Sequence, residues 1–201
     1  YRKKVGLIKK EKDYIDKSIK LVGYLIDQMA DSIEFPPFVL KTIDVADGFT
    51  PSTAAQFTRR SIGVLQGPIV NICSLLESFG IIIVELFDCE EGFDGVSFLT
   101  DQGFPVIVIN GNYSNDRKRL TIAHELGHII MHISPDIAVS NYRDKECEAF
   151  EFAAEFLMPS NEIKSSLTNL RLSYLLPLKQ YWLTSMASII HRAKDIGTIN
   201  I

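Results

Sequence analysis

Three of the four histidines in this 201-residue chain fall within nine residues, at the end of the stretch RKRLTIAHELGHIIMH, Arg117 to His132. His124, Glu125 and His128 form a His-Glu-x-x-His spacing. On a helix, residues four apart lie about 6 Å apart along the axis and share a face. Two imidazoles so placed can grip one ion. Imidazoles joined by a carboxylate suit Zn²⁺. Glu125 is then placed to act as general base toward a water whose pKa the zinc lowers. Chance supplies this spacing in roughly one chain of this length in two hundred, so the surroundings must decide.

A helical wheel supports a site. With 100° per residue from His124, His128 falls at about 40°, Thr121 at 60°, His132 at 80° and Glu125 at 100°. Ile122, Ala123, Leu126, Ile129 and Ile130 fall on the other side, at about 140–260°. A solvated face would carry Lys and Glu, whereas this one carries imidazoles. His132 is about 12 Å along the axis from His124, too far to share an ion bound at about 2 Å. It is expected to support the site or the fold. Gly127 removes a side chain where another element can pack close.

A catalytic zinc site needs a third protein ligand. KECEAFEFAAEFLMPS, from Lys145, offers four glutamates. Glu146 is in line with Ala149, Phe150, Ala153 and Leu157, on the expected buried face. Glu148, Glu151 and Glu155 group on the opposite side as a solvated stripe. A carboxylate on a buried face needs a partner or a metal, which favours Glu146, with Glu148 as runner-up. The plainer reading of Glu146 is an exposed acid near a helix N-terminus. Cys147 lies about 100° around the helix and is not expected to ligate.

The elements that must position these groups follow from periodicity. Ile15, Ile19, Val22, Ile26 and Met29 mark an amphipathic helix from about Lys10 to Ile33, stopped by EFPPF. TPSTAAQFTRRSIGV reads as a helix with Thr50 as cap and Pro51 in the first turn. GPIVNICSLLESFG reads as another, closed by Gly80. IIIVELF, GVSFL and FPVIVIN are β-rich runs separated by turns, which predicts a small, mainly antiparallel sheet. Helices follow: one through His124, one from about Lys145 to Leu157, and two or three short ones.

Bulk properties narrow the class. Hydrophobic residues make up 46% and charged residues 23%, an ordinary globular composition. The net charge of −4 argues against a broad electrostatic footprint on nucleic acid. Cys73, Cys89 and Cys147 have no CxxC spacing, which argues against a disulfide framework and fits a reducing cytoplasm. No apolar run reaches the roughly 18 residues of a membrane span. No signal peptide is visible, and the chain opens on Tyr1 rather than Met, which leaves open what precedes it.

RLTIAHELGHIIMH followed by ECEAFEFAAEFLMP resembles the ImmA/IrrE family of zinc metallopeptidase-like proteins. Its pattern is a helix like RFTLAHELGHLLLH, then E-x-x-A-N-x-F-A-A-x-L-L-M-P. Glu146 takes the position of the family's ligand glutamate. Phe152-Ala153-Ala154 and Leu157-Met158-Pro159 match. Phe150 departs, standing where the family usually has Asn. The segments from Ser52 to Leu86 and from Leu175 to Gly197 are similar to the family's flanking parts. YRKK and the helix after it resemble the linker that follows a repressor-type helix-turn-helix in longer members.

The resemblance implies an α+β, zincin-like fold. A small sheet packs on the HExxH helix, a Glu-bearing helix follows, and C-terminal helices complete the domain. Residues 1–45 are read as linker and amphipathic helix, and 46–201 as the peptidase-like domain, with 166–201 its C-terminal helical segment. The implied site is Zn²⁺ on His124, His128 and Glu146, with water in the fourth position and Glu125 as base. The implied function is regulatory cleavage or inactivation of a helix-turn-helix repressor in the cytoplasm.

The rival readings are a non-catalytic zinc-containing regulator and a DNA-binding factor, in a mobile element, toxin–antitoxin or stress-response system. LSYLLPLKQYWLTSMASIIHRAKDIG could be a helix-turn-helix, with Ser185 capping a helix that presents His191, Arg192 and Lys194. Two packing helices with Trp182 as core anchor are preferred. Arg59-Arg60 and Arg117-Lys118-Arg119 read as solvated runs. His191 and Tyr142 are candidates for stabilising an oxyanion.

Overall fold

The computed structural model describes residues 9–89, 92–134, 137 and 142–199. The basic stretch 1–8 lies outside them, and so does most of the loop before Tyr142.

The helix at Lys9–Ala30 (α1) is the expected amphipathic one. Ile15 and Ile26 are buried, but Met29 is 46% exposed, so the buried stripe ends a turn early. A 3-10 turn at Val45–Asp47 and a helix at Pro51–Ser61 (α2) follow. Thr50 caps α2 as expected: its hydroxyl accepts from Thr53 N–H at 3.1 Å, and Thr53 Oγ1 accepts from Thr50 N–H at 2.8 Å. Asn71 caps the short helix Ile72–Glu77 (α3).

The three β-rich runs form strands Ile82–Leu86 (β1), Gly95–Leu99 (β2) and Pro105–Asn110 (β3), in the order β1-β3-β2. β2 pairs antiparallel with β3, but β1 pairs parallel with it, so the sheet is mixed rather than mainly antiparallel. The cause is the middle position of the most buried run. All six residues of β3 are buried, as for a strand covered on both faces. Val106 and Val108 pack toward α1, with Ile15, Ile26 and Phe93. Ile107 and Ile109 pack on the opposite side, in the larger core with Ile122 and Leu126.

That larger core is helical. It is built around Asn115–His128 (α4), which a π-helical turn extends through Ile129–Ile133, and Lys145–Leu157 (α5). Ser160–Leu167 (α6), Leu172–Trp182 (α7) and Met186–Asp195 (α8) close it. Two glycines let α4 sit between its neighbours. A Cβ on Gly127 would meet Phe152 Cδ1 at 3.2 Å and Ala149 Cα at 3.3 Å, and one on Gly95 would meet Thr121 Cγ2 at 2.6 Å. No helix among the described residues is long and apolar enough to cross a membrane.

Candidate metal centre and cleft

The histidine face of α4 is largely covered rather than solvated. His124 is 5% exposed and Glu125 3%. α5 crosses that face, its start fixed by Asp144, whose side chain accepts from Cys147 N–H at 3.0 Å. Glu146, in the first turn of α5, is thereby brought over the two histidines.

Three donor atoms then converge. His124 Nε2 and His128 Nε2 are 3.2 Å apart. Glu146 reaches them with different oxygens, Oε2 at 3.3 Å from His124 Nε2 and Oε1 at 3.5 Å from His128 Nε2, and one ligand atom from each residue lies within 4.8 Å of the others. Tetrahedral ligands at about 2.0–2.1 Å from an ion stand roughly 3.3 Å from one another. The donor set therefore fits zinc in spacing and in chemistry, and these three residues could hold it. No other such group occurs among the described residues.

The local electrostatics agree. Burial, then the neighbouring His124 and His132, push the His128 pKa down to about 3, so its imidazole is neutral at physiological pH. Burial pushes Glu125 up to about 7, against a hydrogen bond from Ser97. Ser97 Oγ donates to Glu125 Oε2 at 2.6 Å. Register places it there: Ser97 pairs with Ile107, whose side chain points to α4. A slip of one residue would turn Ser97 away. Phe150 lies against His124, ring centroids 4.2 Å apart. Where the family pattern has a polar Asn, an apolar ring steadies this imidazole.

A cleft of about 730 Å³ opens beside His124 and Glu125, walled by Leu120, Thr121, Phe150 and His191 among others. His191 thus joins the site's surroundings. Tyr142 is fully exposed and does not line the cleft. A second cavity, about 550 Å³, is lined by Cys73, Lys118 and Arg119 and contains none of the HExxH residues.

The solvated stripe on α5 does not exist as such. Glu151 is exposed and accepts from Ser52 Oγ at 2.8 Å. Glu155 is 1% exposed, paired with Arg192 and accepting from Gln56 Nε2 at 2.8 Å. Glu148 accepts from His132 Nε2 at 2.8 Å and from Arg143 at 2.6 Å, and Arg143 holds its carboxyl below the usual range. It is therefore not in the donor triangle. A single-faced wheel fails here because α2 covers the side of α5 away from α4. Cys147 is exposed, as expected of a non-ligand.

The two basic runs are only partly solvated: Arg60 is exposed as expected, but its neighbour is not. Arg59 is buried and donates to the carbonyls of Phe156 at 2.8 Å and Gly67 at 2.7 Å. Arg119 donates to the Leu183 carbonyl at 3.0 Å, and Arg117 Nε to Asp94 at 2.9 Å. Ser185 caps α8, but Arg192 turns into the core, where its Nε donates to the Met158 carbonyl at 3.0 Å. Trp182 is buried as a core anchor. Sequence reasoning missed Ser97 and Arg143. Ser97 carried no signal because its partner Glu125 is 28 residues away, and Arg143 none because it reaches Glu148 from outside the helix that the wheel describes.

No curated protein matches the chain closely enough to count as a relative. The sequence model of the IrrE N-terminal-like domain, a peptidase family of the metallopeptidase kind, matches residues 77–194. That span is more than half of the chain and contains all three donors and Glu125. The chain belongs to the IrrE N-terminal-like peptidase family.

Proposed function

We propose that this chain is a zinc-dependent endopeptidase of regulatory type, acting in the cytoplasm to cleave or inactivate a helix-turn-helix transcriptional repressor. The observation that carries the reading is the donor triangle with Glu125 beside it at the edge of an open cleft. The repressor as substrate rests on the resemblance to the ImmA/IrrE pattern.

When bound by His124, His128 and Glu146, zinc would supply charge to polarise a substrate carbonyl and to acidify water. The chain's own residues supply the rest. Ser97 Oγ donates to Glu125 Oε2 and holds the carboxyl in place to move a proton. Buried beside the donor triangle, Glu125 can take the proton from the attacking water and return it to the leaving amine. His191 lines the same cleft and can donate to the developing oxyanion. β2 is an edge strand, so an extended substrate segment could pair along it beside Glu125.

The test is incubation of the protein with the repressor encoded beside its gene. The parent should cut it, and Glu125→Gln should lower the rate by about 10²–10⁴ while keeping its zinc. If Glu125→Gln retains the biological effect in cells, the peptidase reading fails and a non-catalytic zinc-containing regulator takes its place. Retention of DNA by the isolated chain, falling steeply with salt, would favour the DNA-binding reading instead.

A further inference from the structure

A zinc ligand must present a lone pair, and a neutral imidazole has only one. If His128 binds through Nε2, its proton must sit on Nδ1. That nitrogen lies 2.9 Å from Nδ1 of His132. His132 Nε2 lies 2.8 Å from Glu148 Oε2. Arg143 grips the same carboxylate with two bonds, Nε to Oε1 at 2.9 Å and Nη2 to Oε2 at 2.6 Å. Its Nη1 reaches Asp44 Oδ1 at 3.3 Å, and that oxygen also accepts from Ala46 N–H at 2.9 Å.

Each bond in this row needs one donor and one acceptor, and one end is fixed. A guanidinium only donates, and a carboxylate held in its fork only accepts. The proton between Glu148 and His132 therefore belongs to His132 Nε2. A neutral imidazole with that proton has its lone pair on Nδ1, so His132 accepts there. The proton between the two imidazoles then belongs to His128 Nδ1. The lone pair of His128 is left on Nε2, the atom in the donor triangle. The opposite tautomer would aim an N–H at His124 Nε2, 3.2 Å away, and block the site. The His132 side chain is only 2% exposed, so water is poorly placed to replace it.

We propose that Arg143, Glu148 and His132 form a one-way hydrogen-bond chain that sets the tautomer of His128 and thereby presents its Nε2 to the metal. They are positioning residues and touch neither metal nor substrate. The inference rests on the metal-site reading above. It also makes the link between α5 and the π-helical turn a determinant of metal affinity, since Glu148 belongs to the first and His132 to the second.

Two measurements on the whole chain test it. Long-range ¹⁵N–¹H spectra of the imidazoles, with and without zinc, read the tautomers directly and need no variant. His128 should carry its proton on Nδ1 and His132 on Nε2. Competition with a visible-light-absorbing zinc chelator reads affinity. Glu148→Gln has an amide that can donate where the carboxylate only accepts, and His132→Phe keeps the ring without its nitrogens. Both should bind zinc about 10–100-fold more weakly, with helix content unchanged by circular dichroism. Zinc affinity within about twofold of the parent in both variants would overturn the proposal. So would a His128 proton on Nε2 in the parent. A parent that takes up no zinc would instead overturn the metal reading, and this proposal with it.

Discussion

Helix α5 carries two carboxylates nine residues apart, one buried and one half-exposed over the histidine pair, and they live under different rules. Glu155, in the last turn, is 1% exposed and fully served by the chain. Arg192 pairs with it, Gln56 donates to it at 2.8 Å, and the Ser160 N–H and hydroxyl reach it at 3.2 Å. Glu146, in the first turn, faces two imidazole nitrogens, and burial keeps His128 neutral. A carboxylate turned inward needs a counter-charge. Where the chain supplies one, the carboxylate ties α2, α5 and α8 together. Where it supplies imidazole nitrogens, His124, His128 and Glu146 form a group that could hold a cation from outside. The comparison separates a structural acid from a candidate metal-site acid on one helix, using partner chemistry and not burial alone.

The sharpest way to break this comparison is to neutralise each acid in turn. Glu146→Gln should abolish stoichiometric zinc, with affinity falling beyond the roughly 10–100-fold that loss of an outer partner costs. Metal-free stability should change little, because its side chain is 45% exposed. Glu155→Gln should do the reverse. It strands Arg192, which is 3% exposed, without its counter-charge, at a cost of about 3–5 kcal/mol. The fraction that remains folded should still bind zinc. Denaturant melts and metal analysis on both variants check this crossing pattern; matching effects from the two variants would dissolve the distinction.

A second effect, about 3 kcal/mol, belongs to Glu125 in the metal-free protein. Its folded pKa is about 7 against a reference of 4.5. Between those values the folded state binds more protons than the unfolded, so stability falls as pH rises. His128 acts in the opposite sense. Its folded value is about 3 against 6.5, so between those values the unfolded state binds more protons and stability falls on acidification. The two slopes oppose each other from about pH 4.5 to 6.5. Metal-free stability should therefore be flat there, drop below, and drop again up to just above pH 7. Glu125→Gln should remove the upper drop, raising Tm at pH 8 by roughly 6–12 °C and not at pH 4.5. A gain of the same size at both pH values would mean that Glu125 is not a buried, proton-holding acid.

The chemistry-bearing half of this comparison was legible in the sequence, and the structural half was not. Spacing on α4 selected His124 and His128, and axial distance set His132 apart. The wheel on α5 favoured Glu146, and the strand runs appeared where β1, β2 and β3 lie. These features are local, governed by helical or strand period. Glu155 was read as solvated because its partner Arg192 is 37 residues away, and Glu148 because Arg143 and His132 approach from outside its own helix. The parallel pairing of β1 with β3 escaped for the same reason. Strand order depends on which run is covered on both faces, and the burial of β3 by α1 on one side and α4 on the other is a tertiary fact.

The smallest effect concerns the spacing of the two helices that bring Glu146 to its histidines. Gly127→Ala would place a Cβ 3.3 Å from Ala149 Cα and 3.3 Å from Phe152 Cβ. The Ala149 contact is backbone, so α5 must move rather than a flexible side chain. Overpacking of this kind costs about 1–3 kcal/mol, while alanine returns up to about 1 kcal/mol in helix propensity. The net loss should be about 1 kcal/mol. Its direction matters more than its size. Ala149 lies three residues after Glu146, so a shift that relieves the clash also pulls the carboxylate away from His124 and His128. Zinc affinity should fall with the modest loss of stability, whereas Glu155→Gln should cost more stability and spare the zinc. Isothermal titration and thermal melts on Gly127→Ala measure both. A variant that is more stable than the parent and binds zinc equally well would show that the α4–α5 spacing is not set at this glycine.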